Sequence, residues 1–335
     1  MLLIRKRAYA RAGLVGNPSD GYNGKTISVV VRDFRAEVSL YEWDQVEIVF
    51  SQDDRSRFRS VDELARDVRL HGYYGGIRLI KATIKKFVDY CRQRGIRLHE
   101  QNFSIRYDSD IPRQVGLAGS SAIIVATLRC LMEFYRVEIP REAQPSLVLS
   151  VETEELNIAA GLQDRVIQVY EGLVYMDFSR DRMRAIEGLN CGVYQPLDPA
   201  LLPPLYVAYN AEAGEPTEIV HNDLRGRYQR GEQAVVDAMA RCAQLAAEAH
   251  EAILARDHKR LGELMDANFD VRRSILRIPS DQTRMVDVAR SVGATANFAG
   301  SGGAIIGTYP DENAVLRLEA AMSAIGCRVI RPAIA

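Results

Sequence analysis

The segment Ile111-Pro-Arg-Gln-Val-Gly-Leu-Ala-Gly-Ser-Ser-Ala122 constrains this chain more than any other. Ahead of it, Phe103–Tyr107 alternates as a strand does, and behind it Ala122–Tyr135 is apolar on nearly every face. A helix of that composition is buried on most sides, so the pattern predicts strand, glycine-rich turn and core helix. Glycines allow close backbone approach to a ligand. A helix N-terminus adds roughly half a positive charge. Together they form an anion site, for which phosphate is the usual occupant. Ser120 and Ser121 add hydroxyls that can donate to phosphate or ligate Mg²⁺. No Gly-Lys-Ser/Thr follows the glycines, so this is not a Walker A loop, and the Gly-x-Gly-x-x-Gly pattern is also missing. A nucleotide here relies on backbone amides and the helix dipole. The alternative is that one serine only caps the helix after a glycine turn.

The rest of the chain supplies a large core. With 335 residues, 47% hydrophobic and 26% charged, it is not globally disordered. That length suggests about two domains, or one large one. Pro196–Pro204 holds four of the twelve prolines, and a boundary just before it gives 1–190 and 191–335. A net charge of -1 lacks the basic excess of a dedicated DNA-binding domain, so no nucleic-acid partner is expected. No stretch reaches the roughly 18 apolar residues of a membrane span. Arg5-Lys6-Arg7 is not followed by the apolar run of a secretory signal. Cys91, Cys130, Cys191, Cys242 and Cys327 are odd in number and widely spaced, which fits reduced thiols in a cytoplasmic protein. The five histidines are scattered, so no His/Cys metal site is expected.

Thr26–Leu40 reads as a strand pair about Arg32-Asp33, and Trp43–Phe50 and Leu173–Phe178 as strands. Asp53–Arg59 reads as a charged loop, Val61–Arg94 as helix broken near Gly72–Gly76, and Pro145–Ile158 as helix. Beyond the prolines come a strand at Leu205–Tyr209 and helices over Thr217–Arg256 and Lys259–Leu276. A glycine-rich turn and strand after Phe298, a helix at Glu312–Ile325 and a strand at Cys327–Ile330 complete the chain. Strands and helices mix without a βα repeat, which predicts an α+β fold.

Three further segments carry candidate chemistry. In Glu152…Gly161-Leu-Gln-Asp164-Arg165 a helical carboxylate is followed by a glycine turn and an Asp at the next helix start. Such a pair suits a metal ligand and a base, although taken alone the segment reads more simply with Asp164 as a helix cap and Glu152 as a solvent-facing residue. In Arg7–Asp20, Arg11 offers a rigid cationic fork, and Asn17, Ser19 and Asp20 form a polar cluster suited to sugar hydroxyls. The same cluster can be a simple turn between strands. Asn297–Gly307 is a glycine-rich turn entering an apolar strand, readable as a ligand wall or a tight hairpin.

In this order the segments resemble the GHMP small-molecule kinases. The first motif of that family is similar to Arg11–Asp20, its central motif to Gly116–Ala122 and its C-terminal motif to Ala299–Gly303. The Glu152 to Asp164 spacing suits the family's metal carboxylate and catalytic aspartate, and the likeness spans nearly the whole chain. Within the family, Arg7-Ala-Tyr-Ala-Arg11, Gly16-Asn-Pro-Ser-Asp20, Tyr73-Tyr-Gly-Gly76, Arg113–Ser121 and Ala160–Arg165 look most like the glucuronokinase subfamily. Two departures stand out. Ala118 intervenes among the central glycines, and Tyr9-Ala10 replaces Pro-Gly before Arg11.

The resemblance implies a two-domain α+β GHMP-kinase-like fold, with the active site in the interdomain cleft and ATP bound by residues 1–190. It implies ATP- and Mg²⁺-dependent phosphorylation of a sugar hydroxyl, foremost glucuronate to glucuronate 1-phosphate. Gly116, Leu117, Ala118, Gly119, Ser120 and Ser121 would wrap the triphosphate, and Ser121 (or Ser120) and Glu152 would hold Mg²⁺. Asp164 and Arg11 would act on the acceptor hydroxyl, Asn17 and Asp20 would contact the sugar, and Gly300, Ser301 and Gly302 would wall the site. A uronate carboxylate also calls for an arginine, which the resemblance does not single out. The expected partners are a small sugar and ATP, without a membrane. Alternatives are a GHMP kinase for another sugar, a sugar phosphate or a mevalonate-like acid, and a non-catalytic binding protein of this fold.

Overall fold

The computed structural model describes residues 2–49, 76–210 and 218–334, with the side chains of 218–223 excepted. Phe50, the Asp53–Arg59 loop, the helix start from Val61, Tyr73–Gly75 and Thr217 lie outside the described residues.

The larger sheet is built on two long antiparallel strands, β1 (Leu3–Val15) and β2 (Lys25–Trp43). Thr26–Leu40 is therefore one strand and not a pair. Tyr9 faces Arg35 and Ala10 faces Val31, so Arg32–Phe34 form a bulge. None of these three has the positive φ that a two-residue hairpin turn requires. β3 is short (Glu47–Ile48), and helix α1 runs over Gly76–Gln93. β4 (Asn102–Ser109) pairs with the C-terminal half of β2 and carries β3.

Helix α2 (Gly119–Tyr135) follows and packs on β1 and β2, as its all-round apolar surface requires. Next come α3 (Gln144–Ser150), a π-helical turn (Val151–Glu155) and α4 (Gln163–Tyr170). β5 (Leu173–Asp177) pairs with the N-terminal half of β2. β6 (Arg184–Ile186) and β7 (Leu189–Cys191) form a small ribbon, and β8 (Val193–Leu197) pairs with β5. β2 is buried on both faces. Ile27, Val29 and Val31 join the main core, while Val30 packs with Leu162 and Val166.

The second sheet begins with β9 (Leu205–Tyr209). It is followed by α5 (Glu218–Gln229), α6 (Gln233–Leu254), α7 (His258–Ile275) and α8 (Ser280–Ser291). β10 (Asn297–Phe298), β11 (Ala304–Thr308), α9 (Glu312–Ser323) and β12 (Arg328–Ile330) complete it, in the antiparallel order β10-β11-β9-β12. Met285, Val286, Leu318 and Met322 cover this sheet.

Because β8 belongs to the first sheet, a division at 190 cuts through paired structure. We propose the division within residues 198–204, the proline segment itself. The two parts share one core. Small residues on α6, including Ala246 and Ala249, lie close to β2 and belong to the same cluster as Leu14 and Ala299. The chain end also returns to the first sheet. Arg32 N donates to Ala333 O at 2.8 Å, and Ala333 N donates to Asp33 at 2.8 Å, covering the bulge. All five cysteines are free and buried. Among the described residues, no helix is long and apolar enough to cross a membrane.

Candidate active site

β1 carries Arg11 into the interior, where it is 5% exposed. Its Nε donates to Asp164 Oδ1 at 2.6 Å, and its Nη1 donates to the carbonyls of Gly116 at 2.6 Å and Ala299 at 3.0 Å. One guanidinium thus joins β1, the central glycine loop, the start of α4 and the C-terminal glycine turn. A planar fork can satisfy such diverging acceptors, whereas a lysine presents a single point charge. The contact demands glycine. A Cβ on Gly300 would lie 2.2 Å from the Gly116 carbonyl and 2.8 Å from Arg11 Nη1. Gly116, with φ +73°, faces Gly302 and Ser301 in the same way. The stretch Gly300–Gly302 is therefore packed against the central loop, and Gln282 fills the space a side chain on Gly302 would need.

The N-terminus of α2 is left open. Ala118 adopts the left-handed conformation (φ 62°, ψ 47°), and no side chain caps the helix. This is the position of the unusual alanine, and a left-handed non-glycine residue costs roughly 1–2 kcal/mol. Gln168 Nε2 holds its carbonyl at 2.8 Å. Neither serine acts as the cap considered above. The N–H groups of the first turn, which have no helical acceptor, and the helix dipole both suit an anionic phosphate chain.

Glu152 sits in the π-helical turn, an irregularity common at functional sites. It is 1% exposed, while Glu154 and Glu155 turn outward to Lys86 and Lys85. Glu152 Oε2 accepts from Arg165 Nε at 2.8 Å and also pairs with Nη2. Oε1 accepts from Ser120 Oγ at 2.9 Å. Of the two serines named for the metal, the one beside Glu152 is Ser120 and not Ser121. Ser121 is fully buried and its hydroxyl donates back to Ala118 O at 3.3 Å. Ser120 Oγ and Glu152 Oε1 are hard oxygen donors beside the open helix end. Among the described residues, no group of three His, Cys, Asp or Glu forms a cage. The Ser120 Oγ–Glu152 Oε1 pair suits a cation that takes phosphate or water oxygens as its other ligands.

Asp20 lies on the short 3₁₀ turn Ser19–Tyr22, and its Oδ2 accepts from Gln163 N at 3.2 Å. A side chain on Gly161 would start 2.0 Å from that oxygen, so the glycine makes the room. Burial first, then the negative charge of Asp164, push Asp20 up to about 6. Asp20 and Asp164 are thus close enough for their charges to couple. Asn17 Nδ2 donates to Phe298 O at 3.1 Å, and its carbonyl accepts from Asn268 Nδ2 at 2.9 Å. It anchors the loop to the second sheet instead of presenting an amide to a sugar. Arg165, Gln168 and Asn268 received no role from the sequence, because only the fold brings them beside Glu152, Ala118 and Asn17.

The raised Asp20 pKa makes the stability of the fold depend on pH. Between 3.8 and about 6 the folded protein binds more protons than the unfolded chain. Stability is therefore lost as pH rises through this window, and the penalty is full above it. Asp20→Asn removes a penalty of at most about 3 kcal/mol. We expect the variant to melt higher than the parent at neutral pH and at the same temperature near pH 4. Thermal melts across that range check this, and a lower melting point at neutral pH contradicts it.

The open end of α2, the Ser120–Glu152 pair and the Arg11–Asp164 pair are linked through the central glycine loop. The N-terminal domain model of the GHMP kinases matches residues 78–172, and their C-terminal model matches residues 249–326. Glucuronokinase 1 of Arabidopsis thaliana is 44% identical over 94% of this chain and 87% of its own length. The D-glycero-alpha-D-manno-heptose 7-phosphate kinase of Campylobacter jejuni is 22% identical over 90% of this chain and 88% of its own. Lactococcus lactis galactokinase, solved with galactose, superposes with a TM-score of 0.76 at 13% identity, covering 99% of this chain and 93% of that one. The chain belongs to the GHMP kinase family. It is a phosphotransferase with an alcohol group as acceptor, and its fold is the two-domain α+β fold of that family.

Proposed function

We propose that this protein transfers the γ-phosphoryl group of ATP to the anomeric hydroxyl of glucuronate, giving glucuronate 1-phosphate and ADP. The observation that carries the reaction class is the Arg11–Asp164 pair, at 2.6 Å, bonded to the loop that opens α2. The choice of glucuronate rests on the 44% identity to the Arabidopsis enzyme across most of both chains.

In this reading Gly116–Ser121 cradle the triphosphate through first-turn amides and the dipole of α2. Ser120 and Glu152 hold Mg²⁺, which when bound offsets the charge of the phosphate oxygens. Arg165 keeps Glu152 fixed. Asp20 contacts sugar hydroxyls, and the Gly300–Gly302 turn walls the site. Asp164 takes the proton as the anomeric oxygen bonds to the γ-phosphorus. The bond to the β–γ bridging oxygen breaks, and ADP leaves. Arg11 orients Asp164 and offsets charge that develops on the acceptor oxygen. Free, buried cysteines support a reducing cytoplasmic setting.

The test is ADP release from Mg-ATP with glucuronate, galacturonate, glucose, galactose, arabinose, mannose, heptose phosphates and mevalonate. Glucuronate is expected to give the highest kcat/KM. Faster turnover with any other acceptor replaces the substrate and keeps the reaction class.

A further inference from the structure

Arg272 on α7 heads the fully buried large side chains, at 2% exposed. Its Nε and Nη1 meet no hydrogen-bond partner among the described residues. The guanidinium carbon lies 5.1 Å from the centre of the Phe298 ring. Three contacts locate it. One turn earlier on α7, Asn268 accepts from Gly16 N and donates to Asn17 O. Phe298 O accepts from Asn17, and the next carbonyl, Ala299, accepts from Arg11. Arg272 is also near enough to feel the charges of Asp20 and Arg11. It therefore stands behind the strand end that Arg11 and Asn17 grip, within electrostatic reach of Asp20.

A buried guanidinium without an acceptor is expensive. Burial is the main cause pushing Arg272 down to about 10, and Arg11 pushes the same way. The two unmatched N–H groups lie on opposite edges of the guanidinium fork, and each forms with Nη2 an edge that a carboxylate can engage bidentately. The buried face of Phe298 holds that fork in place but supplies no acceptor.

We infer that Arg272 receives the carboxylate of a hexuronate substrate and is the residue that makes the site prefer a uronate over a neutral hexose. This rests on the proposed glucuronate kinase activity. A neutral hexose leaves Arg272 unpaired. A site with an unmatched buried polar group rejects such analogues strongly.

The experiment compares glucuronate with glucose as acceptors for the intact enzyme and for Arg272→Met and Arg272→Lys. Losing one partner of a buried charged pair predicts a fall of about 10³-fold in the kcat/KM ratio of glucuronate to glucose for Arg272→Met. The fall lies mainly in KM for glucuronate, and KM for ATP stays within about twofold. Arg272→Lys keeps the charge but not the fork, and an intermediate ratio is expected. Without ligand, Arg272→Met should melt no lower than the parent, because an unpaired buried charge is gone. A parental ratio in either folded variant overturns the inference, as does a lowered melting point with the ratio intact. If Arg272→Met does not fold, Arg272→Lys decides alone. A parent enzyme that ignores glucuronate and turns over another acceptor instead overturns the substrate assignment, and Arg272 with it. A parent active on glucuronate whose variants keep the ratio overturns Arg272 alone.

Discussion

Asp164→Asn lowers turnover by about 10³-fold and leaves ATP affinity within a small factor. The amide keeps the size of the carboxylate and can still accept from Arg11 Nε, the contact made at 2.6 Å. It cannot take the acceptor proton. The loss therefore falls on kcat and not on nucleotide binding, which depends on Gly116–Ser121 and the α2 N-terminus. Arg165 Nη1 lies 3.4 Å from Asp164 Oδ2, so the variant also leaves Arg165 with one anionic neighbour fewer. Glu152 still pairs with Arg165, and the fold is expected to hold. Single-turnover kinetics with an independent ATP-binding titration separates the two effects. Parental turnover removes Asp164 from the chemistry. Lost ATP binding makes it a structural residue of the loop.

Glu152→Gln is expected to act twice. Arg165 is buried with Glu152, and removing one partner of a buried ion pair costs about 3–5 kcal/mol. A melting temperature lower by several degrees follows. Separately, the Mg²⁺ concentration for half-maximal turnover should rise about tenfold or more, because Ser120 Oγ loses its anionic partner at 2.9 Å. The two effects separate in the double variant Glu152→Gln/Arg165→Gln. It regains much of the stability, since no unpaired charge remains, but keeps the raised Mg²⁺ requirement. An unchanged Mg²⁺ titration in Glu152→Gln assigns the metal to other oxygens.

The sequence signals that survive folding are those whose physics is local. The core helix behind the central glycines needs no tertiary information, because an all-round apolar surface can only be buried. The glycine turn at Gly300 was equally visible, though its tight fit against Gly116 and Arg11 was not. Arg32-Asp33 looked like a turn because charge interrupts the apolar run. In the fold the run continues, and the pair sits in a bulge covered by the chain end. The helix Ser280–Ser291 begins after Pro279 at its N-cap, and its local signal in the sequence is that proline. Ser120 and Ser121 could not be told apart by spacing. Neighbours on a helix point about 100° apart, so one reaches Glu152 and the other turns into the core. Arg165 and Arg272 were two among many arginines. Their roles come from burial, which pairs the first with Glu152 and leaves two N–H groups of the second without an acceptor.

The central claim is that the Arg11–Asp164 clamp serves phosphoryl transfer to the anomeric oxygen of glucuronate. The most direct measurement is phosphorus and proton NMR of the purified protein with Mg-ATP and glucuronate. The expected result is ADP with a new phosphate ester coupled to the anomeric proton, formed by the parent and about 10³-fold more slowly by Asp164→Asn. A phosphate on any other sugar carbon, or ADP and free phosphate without an ester, contradicts the claim.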